Sequence, residues 1–296
     1  MRTFPRQQGG TSAAFAVLLT ALLSACASKP AAAPAAAAAA AAPPQVWLMG
    51  EVHDNASGHR QRYDALRRQV EAGWRPALAM EQFDRETQAA LSKAQRECAT
   101  SECVIAAIAS TRWDWSQYRP VIELALTYQL PLIAANLSRA DASRTVREGV
   151  KASFDEATVQ AYGLAGALPE DVVDAQQKEI MAGHCNLLPQ AMAGGMVQAQ
   201  VARDIWMAKI IREQRPRDVV LLAGNGHVRK DIGVGRWINA VAPPLAVRSE
   251  AYLEEGSEPA PGAYDVTHMV APQERPDPCE DVKPKPQQQK QAQNRP

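Results

Sequence analysis

The sequence predicts an α/β fold in which a mainly parallel central sheet is covered by helices on both faces. Short apolar runs without polar alternation recur along the chain, as strands buried on both faces require. Longer segments with apolar residues three or four positions apart lie between them, the spacing of one helical face. Polar or ionisable residues follow directly on four of the apolar runs, which places chemistry at one edge of such a sheet.

The elements follow in chain order. Val46-Trp47-Leu48-Met49 is a buried strand closed by Gly50. Ser57–Gly73 has helical spacing through Tyr63, Leu66 and Val70, with Gly73 suited to the C-cap. Pro76–Met80 reads as the second strand, and Asp84 as the N-cap of a helix reaching about Arg96. A helix over 116–129 precedes a third strand at Pro131–Ala135, and Ser138 caps the next helix. Further helices are expected over 154–183, then a long one over 188–214 stopped by Pro216. Val219–Ala223, Pro244–Val247 and Val266–Val270 complete the strands, and no internal repeat is visible.

Composition sets outer limits. The 296 residues carry 32 basic and 32 acidic side chains, a balance that argues against a general nucleic-acid binder. No apolar run approaches the roughly 20 residues of a membrane-spanning helix. The first 26 residues read instead as a secretory signal: Arg2 and Arg6, the apolar stretch Ala13–Leu23, then Leu23-Ser24-Ala25-Cys26, which resembles the lipobox of bacterial lipoproteins. Acyl chains on Cys26 would hold the protein to a membrane at about 0.8 kcal/mol per buried CH2. Ala27 after the cysteine implies, by resemblance, sorting to the outer membrane. Without Arg2 and Arg6 the mature chain has 30 basic against 32 acidic groups, so an anionic ligand needs placed groups, not a general positive field.

Residues 27–44 are almost entirely Ala and Pro and are read as a semi-extended tether. Residues 273–296 are rich in Pro, Gln and charge and are expected to be disordered, which leaves residues 45–272 as the folded domain. Cys98, Cys103, Cys185 and Cys279 form an even set in an oxidising compartment. The short 98–103 spacing favours a local bridge and leaves Cys185 for Cys279. Four thiols allow three pairings, and zinc is the rival use, although the spacing is not CxxC.

Glu51 and His53 follow the first strand, Glu81 the second, Asn136 the third, and Asn225 and His227 the run at 219–223. Ligands of open α/β sheets bind outside the carboxyl ends of the strands, so these residues would share one rim. Singly, each also suits a helix cap or a solvated loop. Gly50-Glu51-Val52-His53-Asp54, Met80-Glu81-Gln82-Phe83, Trp113-Asp114-Trp115 with Tyr118-Arg119-Pro120, Gly183-His184-Cys185 and Gly224-Asn225-Gly226-His227-Val228 resemble the ChaN-like haem-binding lipoprotein family. That family shares a superfamily with the erythromycin esterases and the Tiki/TraB proteins. The likeness runs from about residue 46 to 270.

The resemblance implies ferric haem bound between two protomers of a homodimer, iron on a tyrosine oxygen, propionates on polar side chains, and a role in haem or iron uptake or storage, with an outer-membrane haem receptor as partner. Tyr63 and Tyr118 are the candidate iron ligands, either of which would also suit a core contact. His59 lies one helical turn before Tyr63. His53, His227, Arg229 and Lys230 are candidates for the propionates. Met192, Met196, Trp206 and Met207 would supply apolar walls or simply core. His184 reads as structural beside Cys185, and His268 carries no signal. The competing class is a hydrolase of the erythromycin esterase or Tiki type, with Glu51, His53, Glu81 and His227 as acid/base groups or as ligands of a divalent metal such as Mn or Zn. No GxSxG elbow or HExxH helix supports it.

Overall fold

The computed structural model describes residues 43–108, 112–277 and 279–280. The signal segment, Cys26, the tether up to residue 42 and residues 281–296 lie outside the described residues.

Six strands form one sheet in the order β3-β2-β4-β1-β5-β6, and each neighbouring pair is parallel. They are β1 Val46–Met49, β2 Ala77–Asp84, β3 Leu132–Asn136, β4 Val219–Leu222, β5 Val247–Glu254 and β6 Val266–Val270. Strand β1 is central, with Val46 in register with both Val219 and Val247. Its alternate side chains feed two cores, because successive residues of a strand point to opposite faces. Val46 and Leu48 pack with Val197, Val201 and Ile205 of the long helix α8, Gln190–Glu213. Trp47 and Met49 pack with Leu66 and Val70 of α1, Ala56–Glu71, and with Ile122 of α4, Trp115–Thr127. Burial on both faces explains the unalternated runs.

The helices between these are α2 Gln88–Glu97, α3 Ser101–Ile108, α5 Arg139–Glu148, α6 Glu156–Ala161, α7 Glu170–Gly183 and the short α9 Val234–Ile238. Ser138 accepts from the Asp141 amide at 3.1 Å and caps α5, as its side-chain chemistry suggests. Asp84 precedes a 3-10 turn, Arg85–Thr87, and makes no cap bond; its carboxylate takes the Arg112 guanidinium at 2.8 Å from both oxygens. The open edge of β3 is closed by side chains. Gln88 and Gln95, seven apart on α2, bond the main chain of Leu130, Leu132 and Ala134 at 2.5–3.1 Å and fill the positions of a missing strand.

Two expectations need correction. Strand β2 runs to Asp84, so Glu81 and Gln82 lie on the strand and not after it. The strand expected at 244–247 begins at Val247 and extends to Glu254, where Ser249 and Glu250 are buried and hydrogen-bonded polar residues that mask an apolar run. Beyond β6, Arg275 pairs with Asp54 and Glu254 at 2.7–2.9 Å, and Cys279 is bonded to Cys185, the pairing that the cysteine spacing favours. The second disulfide joins Cys98 to Cys103 across the α2–α3 turn.

Candidate functional site

At the carboxyl end of β1 the chain must pass close under the turn after β4. A Cβ on Gly50 would lie 2.9 Å from the Val228 side chain and closer still to Asn225, so glycine is required there. Asn225 is a clamp: its amide donates to the Tyr252 carbonyl at 2.7 Å and accepts the Tyr252 N–H at 3.0 Å, extending the ladder to β5. Asn136 is buried on the rim with its side-chain oxygen unpartnered among the described residues.

Two acid–histidine groups stand on this rim. In the first, buried Glu51 receives the Tyr118 hydroxyl at 2.6 Å, His53 Nδ1 at 2.7 Å and Gln82 Nε2 at 3.2 Å on one oxygen, and pairs through the other with buried Arg62. Burial raises the Glu51 pKa, but Arg62 and the hydrogen bond from His53 prevail and hold it far below the usual carboxylate range. The His53 side chain is 46% exposed and rests edge-on against Trp113, with ring centres 5.0 Å apart. Partial burial disfavours its charged form, yet the hydrogen bond to Glu51 and the charge of Glu81 outweigh that and lift its pKa to about 9. At neutral pH His53 is an imidazolium open to solvent.

The second group is enclosed. His227 places Nδ1 2.6 Å from Asp204 of α8 and Nε2 3.6 Å from Glu81, whose other oxygen accepts the Gly224 N–H at 2.8 Å. Gln176 of α7 reaches Asp204 at 3.3 Å and the Ile232 carbonyl at 3.1 Å. Burial lifts Asp204 to about 6 against the pull of His227. Burial disfavours charged His227, but Glu81 and Asp204 more than compensate and raise it. The two groups meet at Gly224, where a Cβ would lie 3.1 Å from His53 Nε2 and 3.7 Å from Glu81.

The other expected site residues are placed differently. Tyr118 is fully buried, and burial followed by the Glu51 charge raises its pKa, so it has no access to a ligand in solution. Tyr63 lies half-buried on the flank of α1, its hydroxyl without a hydrogen bond among the described residues, and burial raises its pKa. His59 is buried and bonds the His53 carbonyl at 3.0 Å and Arg62 at 3.1 Å; burial, then Arg62, lowers its pKa. Arg229 is committed to Asp231 and Glu179 at 2.6–3.0 Å, and Lys230 to Asp265, so neither is a free cation for a propionate. The proposed apolar series breaks up: Met207 is core, Trp206 lies under Arg85 and Lys209, and Met192 is exposed. His184 bonds the Ile180 carbonyl at 2.7 Å and is structural. Among the described residues, no group of three His, Cys, Asp or Glu is arranged to hold a metal ion, and Glu51, His53, Glu81 and His227 separate into two pairs.

Sequence reading missed Arg62 and Asp204, although both left a signal. Each is a charged residue on the buried stripe of an amphipathic helix: Arg62 four before Leu66, Asp204 next to Ile205 and two after Ala202. A buried charge at such a place demands a partner.

A parallel sheet covered on both faces, with acid–histidine groups at its carboxyl rim, defines an α/β ligand-binding class. The chain belongs to the family described as haem-binding uptake, Tiki superfamily, ChaN, whose model matches residues 37–238. The solved structure reported as cofacial haem binding to ChaN of Campylobacter jejuni shares the fold, with a TM-score of 0.59, 21% identity, and coverage of 75% of this chain and 86% of that one. An erythromycin esterase mutant, EreC, in its open conformation aligns with a TM-score of 0.43, 16% identity, and coverage of 75% and 74%. No curated protein matches the chain.

Proposed function

We infer that the protein binds ferric haem and takes part in haem uptake or storage, held by lipid on Cys26 at a bacterial outer membrane and acting as a homodimer with an outer-membrane haem receptor as its partner. Family membership supports haem as the ligand. The observation that carries the site is His53, an exposed imidazolium held on buried Glu51 beside the Trp113 ring. A protonated ring must lose a proton before it can ligate iron, whereas it pairs with a propionate as it stands. The edge of Trp113 offers apolar surface for a porphyrin.

Iron requires another group. Of the two tyrosines in question, Tyr118 is sealed on Glu51, while Tyr63 is partly exposed with an uncommitted hydroxyl. Tyr63 lies on the α1 flank and not beside His53, an arrangement that suits a ligand shared between protomers, with Tyr63 from one and His53 from the other.

Hemin titration of the mature, non-acylated protein tests this. The expected result is a shifted Soret band with a tyrosinate-type charge-transfer band, lost in Tyr63→Phe and kept in Tyr118→Phe variants that remain folded. An unchanged hemin spectrum, or a Tyr63→Phe spectrum identical to wild type, would contradict it.

A further inference from the structure

The rim lies at the carboxyl ends of the strands, and their amino ends carry a different chemistry. The Gln45 carbonyl accepts the Val219 N–H at 3.0 Å, and its side chain accepts the Ala246 N–H at 2.9 Å, so the entries to β1, β4 and β5 are fastened together. The entry to β2 joins them through the Ala77 N–H on the Asp218 carbonyl at 2.8 Å and the Trp74 indole N–H on the Asp218 carboxylate at 2.9 Å. The segments that precede β2, β4, β1 and β5, neighbours in the sheet, thus form one surface. The same surface receives the chain from its amino terminus, at Pro43-Pro44-Gln45.

Charge is uneven there. The whole chain balances 32 basic against 32 acidic residues, yet positions 67–76 and 209–218 hold seven basic residues and only three acidic ones. Each acid is already answered: Glu71 by Arg67 at 3.2 Å, Asp218 by Arg215 at 3.4 Å, and Glu213 by Lys209. Arg68, Arg75, Arg212 and Arg217 have no carboxylate within 4.0 Å among the described residues. Three of them are fixed by carbonyls instead: Arg75 by Val70 and Trp74, Arg217 by Arg75, and Arg212 by Ile238, Ala242 and Pro243, all at 2.6–3.0 Å. A carbonyl orients a guanidinium without cancelling its charge, so the surface is held net positive. Residues 27–44, which lead into it, add one cation, Lys29, and no acid.

We propose that this amino-end surface docks on a membrane bearing anionic phospholipid headgroups and so holds the rim pointing away from the bilayer. For its setting the proposal rests on lipid anchorage at Cys26. A flexible link between two contacts gives the second an effective concentration of about a millimolar, so weak docking is enough. Each uncompensated arginine near an anionic bilayer strengthens binding about fivefold.

The test uses the mature, non-acylated protein and cosedimentation with vesicles. Binding is expected to phosphatidylcholine containing about one third phosphatidylglycerol and not to phosphatidylcholine alone, and it should fall as salt rises from about 0.05 to about 0.5 M. Arg75→Gln/Arg217→Gln should weaken it about twentyfold, while Arg75→Lys/Arg217→Lys should keep it within about twofold. Arg139→Gln/Arg147→Gln, which removes the same charge from α5, should leave it unchanged. All four positions are exposed, and circular dichroism checks that the variants fold. No binding to the anionic vesicles at low salt, binding unchanged in Arg75→Gln/Arg217→Gln, or an equal loss in the α5 pair overturns the proposal. Lipid on Cys26 is read separately, from the mass of the amino-terminal peptide of membrane-extracted protein. Acylated protein whose vesicle binding fails therefore overturns the docking surface alone, and vesicle binding without acylation overturns the anchorage alone.

Discussion

His53 and His227 occupy equivalent places in the chain, each a histidine shortly after a buried strand and a glycine turn, yet the fold gives them opposite surroundings. His53 is about half exposed and rests on a single acid, while His227 is enclosed between Asp204 and Glu81 with Gln176 behind. The difference comes from α8, which carries Asp204 over the end of β4, whereas the turn after β1 lies open beside Trp113. Two similar motifs therefore do different work: one histidine is available to a ligand, and the other ties helices to strands.

Breaking the enclosed group should have the largest effect on stability. His227→Ala leaves Asp204 and Glu81 buried without their histidine partner and is expected to destabilise the fold by about 3–5 kcal/mol in urea denaturation. Asp204→Asn keeps the shape but removes the charge; a loss of about 1–3 kcal/mol is expected, because the partner of Nδ1 is weakened and not deleted. Either variant at wild-type stability would dissolve the contrast.

Acid tests the other anchor. Glu51 is held far below its ordinary pKa, so its stabilising pair with Arg62 is complete above about pH 4.5 and fades as pH falls towards the lowered value. Glu51→Gln should flatten that acid limb, as read by thermal denaturation across pH. For His53 the sign is reversed. Its folded pKa is raised, so the stabilisation from its charge is full below about pH 6.5 and is lost as pH rises through about 9. His53→Gln should then cost least of all, within about 0.5 kcal/mol at neutral pH, since the ring is half exposed and screened.

The strands were largely legible because burial on both faces leaves an apolar run in the sequence, as Val46–Met49 shows. Strand β5 was not, because the polar Ser249 and Glu250 are buried through partners on other elements: Val228, Asp265 and His268. The rim could be read from the carboxyl ends of the apolar runs, since the parallel topology alone brings Glu51, Glu81 and His227 to one edge, although Glu81 itself lies on β2. Their exposure could not, because it depends on where α8 and the Trp113 turn pass. Tyr118 is the plainest case: the aromatic motif around it invites an iron ligand, while its hydroxyl is spent on Glu51. The Cys185–Cys279 bridge was legible from the cysteine spacing, while the Arg275 pairs with Asp54 and Glu254 were not, because local composition does not reveal distant partners.

The central claim is that the exposed, charged His53 grips the ligand. Hemin affinity of the mature protein and of His53→Gln, measured by absorption titration between pH 6.5 and 10, tests it most directly. The account predicts a wild-type affinity that falls as pH rises through about 9 and a variant that binds about tenfold more weakly at neutral pH without that fall. A variant with wild-type affinity and the same pH profile would contradict it.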